Sequence, residues 1–253
     1  SALELAAARV RDLQPDEILD GLRAGSELLS GAASSTPHHT SVASAIAWSD
    51  ELLDDVDRAA MRAVATFDGS FTLDDADAVV GSSSVNSIGR LVAHSLLVSD
   101  RSSRPRRYRM LQVVREWLRG ATPPLEAHEA RRRLTGWAAS FAHELSPELW
   151  TTASGGALAR LERDMANVRG AIAAELSADD GDALAVLSIA IDLVPFWHRS
   201  APDEGIDVLE RAVQRARDTG VGDSGLVARG LLATAKLAWV TGRAELGRSR
   251  SVE

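Results

Sequence analysis

The side chains able to do chemistry are few, and their spacing excludes more than it supports. None of the 253 residues is cysteine, which removes disulfides, thiolate zinc sites, iron–sulfur clusters and a cysteine nucleophile together. Of 28 basic residues, 27 are Arg and only Lys236 is Lys. Lys236 stands in Ala-Thr-Ala-Lys-Leu-Ala, without the glycine loop and the following Ser or Thr by which a Walker A motif cradles phosphates. It has no recognisable Schiff-base setting either. His38-His39 lies near Ser34, Ser35 and Thr40, a grouping that could suggest a metal or a nucleophile triad. There is no His-Glu-x-x-His and no Gly-x-Ser-x-Gly, so the pair reads as surface-loop histidines. The expectation is a chain with no catalytic residue, no metal ligand and no cofactor of its own, hence not an enzyme.

Charge clusters offer binding rather than catalysis. Residues 90–120 hold eight Arg against Asp100 and Glu116, while Asp50 to Asp77 holds nine acids against Arg58 and Arg62. Arg104, Arg106, Arg107 and Arg109 could touch DNA or dock another domain; the alternative is a solvated face. The net charge of −8 argues against general polyanion binding. Arg131-Arg132-Arg133 reads as a solvated helix face with acidic partners. Trp48, Trp117, Trp137 and Trp150 read as packing residues, and Trp197 and Trp239 as core residues of a repeat.

The elements that hold these groups are mostly helices. Hydrophobic residues make up 45% and aromatics only 4%; Ala and Leu supply the apolar mass, which favours helix over a β-sandwich. Pro15-Asp16-Glu17 reads as a helix start and Ser30 to Pro37 as a linker. Helices are expected over Thr40 to Leu53 and Asp54 to Phe67, with Val56, Ala60, Met61, Val64 and Phe67 on one face. Thr72 is a good N-cap for Leu73 to Val80, with Asp74 and Asp75 at its positive end. Val85 to Ser95 follows, offering only Asn86, Arg90 and His94 for reading bases. Leu96 to Ser99 and Arg107 to Leu111 flank a polar insert and read as a β-hairpin, and Gln112 to Arg119 returns to helix. Helix, helix, helix, hairpin, helix is the order of a winged helix. Ala121-Thr122-Pro123-Pro124 is the best domain boundary. Beyond it helices are expected over Glu126–Glu144, Ala157–Leu176, Asp182–His198, Asp203–Thr219 and Leu226–Thr241, with a last piece from Arg243.

This second half repeats weakly. A shift of 42 residues lays Trp197 on Trp239 and Gly205 on Gly247. A tryptophan near a helix end, with a glycine entering the next helix, is the tetratricopeptide (TPR) manner: the glycine lets backbones approach and the tryptophan fills the pair. The longest nearly apolar stretch, Leu184 to Trp197, holds Asp192 and Pro195 and falls short of the roughly 20 residues a span needs. With no signal peptide visible, no membrane association is expected and a cytoplasmic location is. The start, without Met and within an Ala-rich helical pattern (Leu3, Leu5, Ala6, Ala7, Val10), reads as a piece of a longer protein.

Motifs in order along the chain resemble a family. Leu3-Glu4-Leu5-Ala6-Ala7-Ala8-Arg9, Trp48-Ser49-Asp50-Glu51-Leu52-Leu53 and Phe67-Asp68-Gly69-Ser70-Phe71-Thr72-Leu73 are similar to segments of the bacterial signal-transduction ATPases with numerous domains (STAND, NB-ARC-like), including the large LuxR and antibiotic-regulator types. So are Leu91 to Leu97, Arg107 to Arg115, and Leu161-Glu162 through Asn167-Val168-Arg169 to Ile172.

The resemblance implies that residues 1–35 end the helical lid of a nucleotide-binding module. Residues 36–120 would be its winged helix, and 125–253 the start of a TPR-like helical repeat. The expected fold is mainly α. In relatives the winged helix clamps ADP through Met-His-Asp; here the stretch reads Met110-Leu111-Gln112 and departs at the histidine. The function implied is that of a regulatory and interaction segment in an ATP-dependent transcriptional regulator, with ATP or ADP held in the parent. Its partners would be an upstream nucleotide-binding domain of the same chain, a protein on the repeats, and DNA through the parent's effector domain. Two alternatives stay open: a DNA-binding winged helix with a helical effector domain, or a protein-binding scaffold.

Overall fold

A computed structural model describes residues 46–151, 154–220 and 224–242. Expectations for residues 1–35, for His38-His39, for the helix from Arg243 and for Gly247 lie outside the described residues. The fold is mainly helical, with one two-stranded antiparallel sheet among the described residues. The chain divides into two compact units. One comprises the chain to Thr66 and Ser70–Ala130; the other comprises Phe67–Gly69 and the chain from Arg131.

In the first unit, helical residues 46–51 precede α1 (Asp55–Val64), α2 (Leu73–Val80), α3 (Val85–Ala93), β1 (Leu97–Asp100), β2 (Arg107–Met110) and α4 (Gln112–Ala121). Local chemistry sets the ends. Asp54 caps α1 by accepting from the Asp57 N–H at 2.8 Å. Thr72 caps α2 in a reciprocal capping box with Asp75, satisfying two otherwise orphaned donors. Gly81, at φ 81°, ends α2 in the left-handed region that glycine adopts without strain. The core is Ala60, Met61, Val64, Phe71, Ile88, Leu91, Leu97, Met110 and Leu118, each 2% exposed or less. Val56 departs from the expected inward face: it is 66% exposed, because α1 turns toward Ala60, Met61 and Val64 and leaves its first turn outside.

The second unit is a run of helices: the later part of α5 (Pro124–Leu149), then α6 (Gly155–Ser177), α7 (Ala183–Asp192), α8 (Val194–Ser200), α9 (Pro202–Asp218) and α10 (Ser224–Val240). α5 outruns its expected end and carries Pro147 in its last turn, where only one helical hydrogen bond is forfeited. The single helix expected over Asp182–His198 is two helices bent by 63°. Pro195, at the start of α8, has no N–H to continue the ladder and crowds the preceding turn. Arg215 donates to the Leu176 carbonyl at 3.2 Å and to the carbonyls of Ala178 and Asp179, capping the negative end of α6. Among the described residues no single helix is long and apolar enough to cross a membrane, and α7 with α8 reaches that length only as the bent pair.

Candidate functional site

In the first unit the hairpin carries the arginines expected to make contacts. β1 and β2 pair in the register Leu97↔Met110, Val98↔Arg109, Ser99↔Tyr108 and Asp100↔Arg107. Phe71 flanks β2 on its other side, exchanging hydrogen bonds of 2.9 and 2.8 Å with Tyr108. Arg107 and Arg109 fall on the same face of β2, so strand alternation does not separate them; the contact with Ser70 does. Arg106 and Arg109 are exposed. Arg107 is only 6% exposed; its Nε donates to Ser70 Oγ at 2.8 Å and its Nη2 to the Ser70 carbonyl at 2.6 Å. Arg107 therefore leaves the set of surface arginines expected at the wing and serves as a strut. Arg104 is exposed, and its Nη1 donates to the carbonyls of Arg101 and Ser103, both at 2.9 Å. At the tip, Asp100 accepts from the Ser102 N–H and hydroxyl, contacts that hold its pKa below the usual aspartate value.

α3 carries the residues expected to read bases, and the strongest of them, Arg90, is engaged. The Nε and Nη2 of Arg90 both donate to the Asp57 carboxylate, the forked pairing that suits guanidinium and carboxylate. The Asp57 side chain is 3% exposed and that of Arg90 47%. Arg90, then Ser87, hold the Asp57 carboxyl below the ordinary aspartate range. The rest of the exposed face is Val85, Asn86, Gly89, Ala93 and His94, poor in hydrogen-bonding reach. Sequence reading missed Asp57, although its position three before Ala60 and four before Met61 puts an acid on the buried face of α1.

Asp57→Asn is expected to destabilise the first unit by about 1–2 kcal/mol, after allowance for the water around Arg90. Because the folded pKa is lowered, this contribution is present above the ordinary value near 3.8 and is lost as pH falls through the folded value. Urea unfolding at pH 7 and pH 3 should show the wild-type advantage over Asp57→Asn shrink in acid.

Where nucleotide-clamping residues were expected, Met110 is buried at 1%, Leu111 is half-buried at the N-cap of α4 and Gln112 is exposed. The Gln112 Nε2 donates to Glu116 Oε1 at 2.7 Å. Of the three, Gln112 presents the most to solvent.

Within the second unit two motif residues far apart in sequence meet. The fully buried Asn167 accepts the Gly69 N–H on its Oδ1 at 2.6 Å. Phe67 packs edge-on to Trp137, with ring centroids 5.3 Å apart. Glu175, 2% exposed, accepts from the Thr135 hydroxyl at 2.8 Å and the Asp182 N–H at 2.9 Å, with Arg131 Nε at 3.6 Å. Arg131 also reaches Asp180 at 2.6 Å, so the first residue of the arginine triplet is a structural tie.

Trp197 is fully buried against Gly205: a β-carbon built at Gly205 would lie 2.7 Å from Trp197 Cβ and Cγ. Trp239, expected in the same role, is 70% exposed, and Trp48 and Trp150 are 60% and 55% exposed. None of these three is buried in the described core, and Trp150 carries Lys236 Nζ 3.9 Å from its ring centroid. Among the described residues no group of three or more His, Asp or Glu converges as for a metal. A pocket beside Glu210, Arg217 and Thr234 has about 20 Å³ of room, enough for a water and far too little for a nucleotide.

No family model matches the chain, and no solved structure matches it. It is similar to the "Putative HTH-type transcriptional regulator Rv0890c" of Mycobacterium tuberculosis, 32% identical over 209 residues that cover 78% of this chain and 23% of that protein. The "Putative HTH-type transcriptional regulator Mb0914c" of Mycobacterium bovis matches with the same figures. "Uncharacterized protein Rv0894" of Mycobacterium tuberculosis is 36% identical over 125 residues, which are 46% of this chain and 32% of that protein. The chain thus spans about a quarter of the length of the first curated relatives it matches.

Proposed function

We propose that this chain is a regulatory and interaction segment of a larger ATP-dependent transcriptional regulator, a winged helix followed by TPR-like helical repeats that couple a nucleotide switch to a sensor. The observation that carries the reading is the similarity over 209 residues to proteins named HTH-type transcriptional regulators, of which this chain spans 23%. The chain's own chemistry supports a contact-making role. It contains no Walker A lysine, so nucleotide belongs to an upstream domain of the same polypeptide. Nucleotide state would bias the winged helix between docked and released positions, with Gln112 and the exposed wing arginines Arg104, Arg106 and Arg109 as contact residues. DNA would be bound by the parent's effector domain, in a cytoplasmic protein. The purified chain is expected to show no ATP turnover above background, and measurable turnover would contradict the reading.

The exposed Arg106 and Arg109 favour a second reading, in which this winged helix itself binds DNA. The locking of Arg90 onto Asp57 weighs against it, since base discrimination needs side chains free to reach base edges. Fluorescence anisotropy of labelled duplex DNA separates the two. The proposed function gives no saturable binding at 50 mM salt or above. Saturable binding that falls steeply with salt and disappears in Arg106→Glu/Arg109→Glu would establish the second reading instead.

A further inference from the structure

Three residues of the turn between α1 and α2 belong to the other unit. The chain leaves the first unit after Thr66, contributes Phe67–Gly69 to the second and returns at Ser70. Within the second unit this turn is firmly seated. Phe67 is 1% exposed and packs edge-on to Trp137, which is stacked in turn on Phe141 with ring centroids 5.3 Å apart. Gly69 donates its N–H at 2.6 Å to Oδ1 of the fully buried Asn167, 98 residues away in sequence. A β-carbon at Gly69 would lie 3.1 Å from that oxygen, and one at Gly170 would meet the Asp68 carboxylate. The surface of α6 is therefore shaped around the turn.

Within the first unit the next residue, Ser70, is held as firmly. Its hydroxyl and carbonyl oxygens accept the fork of Arg107 at 2.8 and 2.6 Å. The N–H of Arg107 donates at 3.0 Å to the Ser103 hydroxyl of the polar insert, and Phe71 exchanges its two hydrogen bonds with Tyr108. A strand needs no guanidinium in order to pair, and burying one is costly unless its donors are matched. Here two of the oxygens that match it sit on the residue next to the crossing. One peptide bond, Gly69–Ser70, thus joins a hydrogen bond from the wing strand to a hydrogen bond from α6.

We propose that Arg107–Ser70 and Gly69–Asn167 form a relay, by which a displacement of β2 loosens or tightens the seat of the turn on α6. Phe67 anchors the turn, so a shift of Ser70 is borne by the Gly69 N–H and not by withdrawal of the turn. Coupling of this kind is carried by hydrogen bonds between rigid elements. The inference rests on the proposed function only for the signal that travels; the coupling itself needs no nucleotide.

Hydrogen–deuterium exchange of the full chain, resolved at single amides by NMR, tests the relay in both directions. Arg107→Lys keeps the charge and loses the fork. It is expected to speed exchange at Gly69 and at the α6 amides next to Asn167 by about fivefold or more, as loss of a net-stabilising hydrogen bond does to a local opening. Asn167→Leu, similar in volume but without the acceptor, is expected to speed the Phe71 and Tyr108 amides to a similar degree. Gly69→Ala presses on the same bond more gently, should move those amides in the same direction, and serves if the leucine variant does not fold. Asp57→Asn weakens the first unit away from the relay and should leave the α6 amides unchanged. Circular dichroism verifies the fold of each variant. Changes confined to the unit that carries the substitution would overturn the inference, as would an equal response of α6 to Asp57→Asn and Arg107→Lys. Either result leaves the proposed function standing, since that reading falls instead on ATP turnover by the purified chain.

Discussion

Trp197→Ala is expected to cost the second unit about 3–5 kcal/mol, the range for emptying a large buried aromatic site. Trp197 is fully buried and touches α9 at Gly205, where Leu237 Cδ1 also comes within 2.8 Å of a built β-carbon. One side chain therefore supports α8, α9 and α10 together. Its indole Nε1 is buried without a hydrogen-bond partner among the described residues, and an unpaired buried donor costs about 1–3 kcal/mol. Trp197→Phe removes that donor and keeps most of the ring, so its cost should stay under about 1.5 kcal/mol. Denaturant unfolding followed by far-ultraviolet circular dichroism measures both. Equal losses for Ala and Phe would mean that the ring does not fill the space between these helices. Trp239→Ala, at an exposed position, should leave the midpoint nearly unchanged.

Gly181→Ala is the second large effect. A β-carbon at Gly181 would lie 1.8 Å from the Glu175 carbonyl oxygen and 3.1 Å from that of Ala178. Neither is a side-chain tip that can rotate away, so the loop between α6 and α7 must move. That loop also delivers the Asp182 N–H to the buried Glu175 carboxylate and Asp180 to Arg131. Displacing it strands a buried carboxylate as well as opening the packing. A loss of about 3 kcal/mol or more is expected, against almost none for Gly136→Ala, where nothing lies within 4 Å and alanine is the better helix former. A Gly181→Ala chain as stable as the parent would show that the loop accommodates the methyl group and that Glu175 is not held by this geometry.

Local chemistry made much of the architecture readable. Thr72 with Asp75 announces the start of α2, and the polar insert between two short apolar runs announces the hairpin. What escaped reading depends on contacts distant in sequence. Pro195 sits inside an apolar run whose periodicity continues on both sides, so one helix was expected where the missing N–H makes two. Arg107 and Arg109 look alike in the chain; only the pairing of β2, with Phe71 beside it, turns Arg107 onto Ser70 and leaves Arg109 in water. Arg90 was readable as a base-contacting candidate, but its occupation by Asp57 required knowing which face of α1 is buried. Trp197 and Trp239 have similar local surroundings and opposite burial, and the packing of α9 over Trp197 could not be read from either.

In the proposed function this chain transmits a nucleotide state through contacts and does no chemistry of its own. Hydrogen–deuterium exchange on the longer polypeptide that contains it, compared with ADP and with ATP bound, tests this most directly. Amides across Arg107–Met110 and Gln112–Ala121 are expected to exchange at different rates in the two states, while in the isolated chain neither nucleotide changes them. Identical exchange in both nucleotide states, or a nucleotide response in the isolated chain, would contradict it.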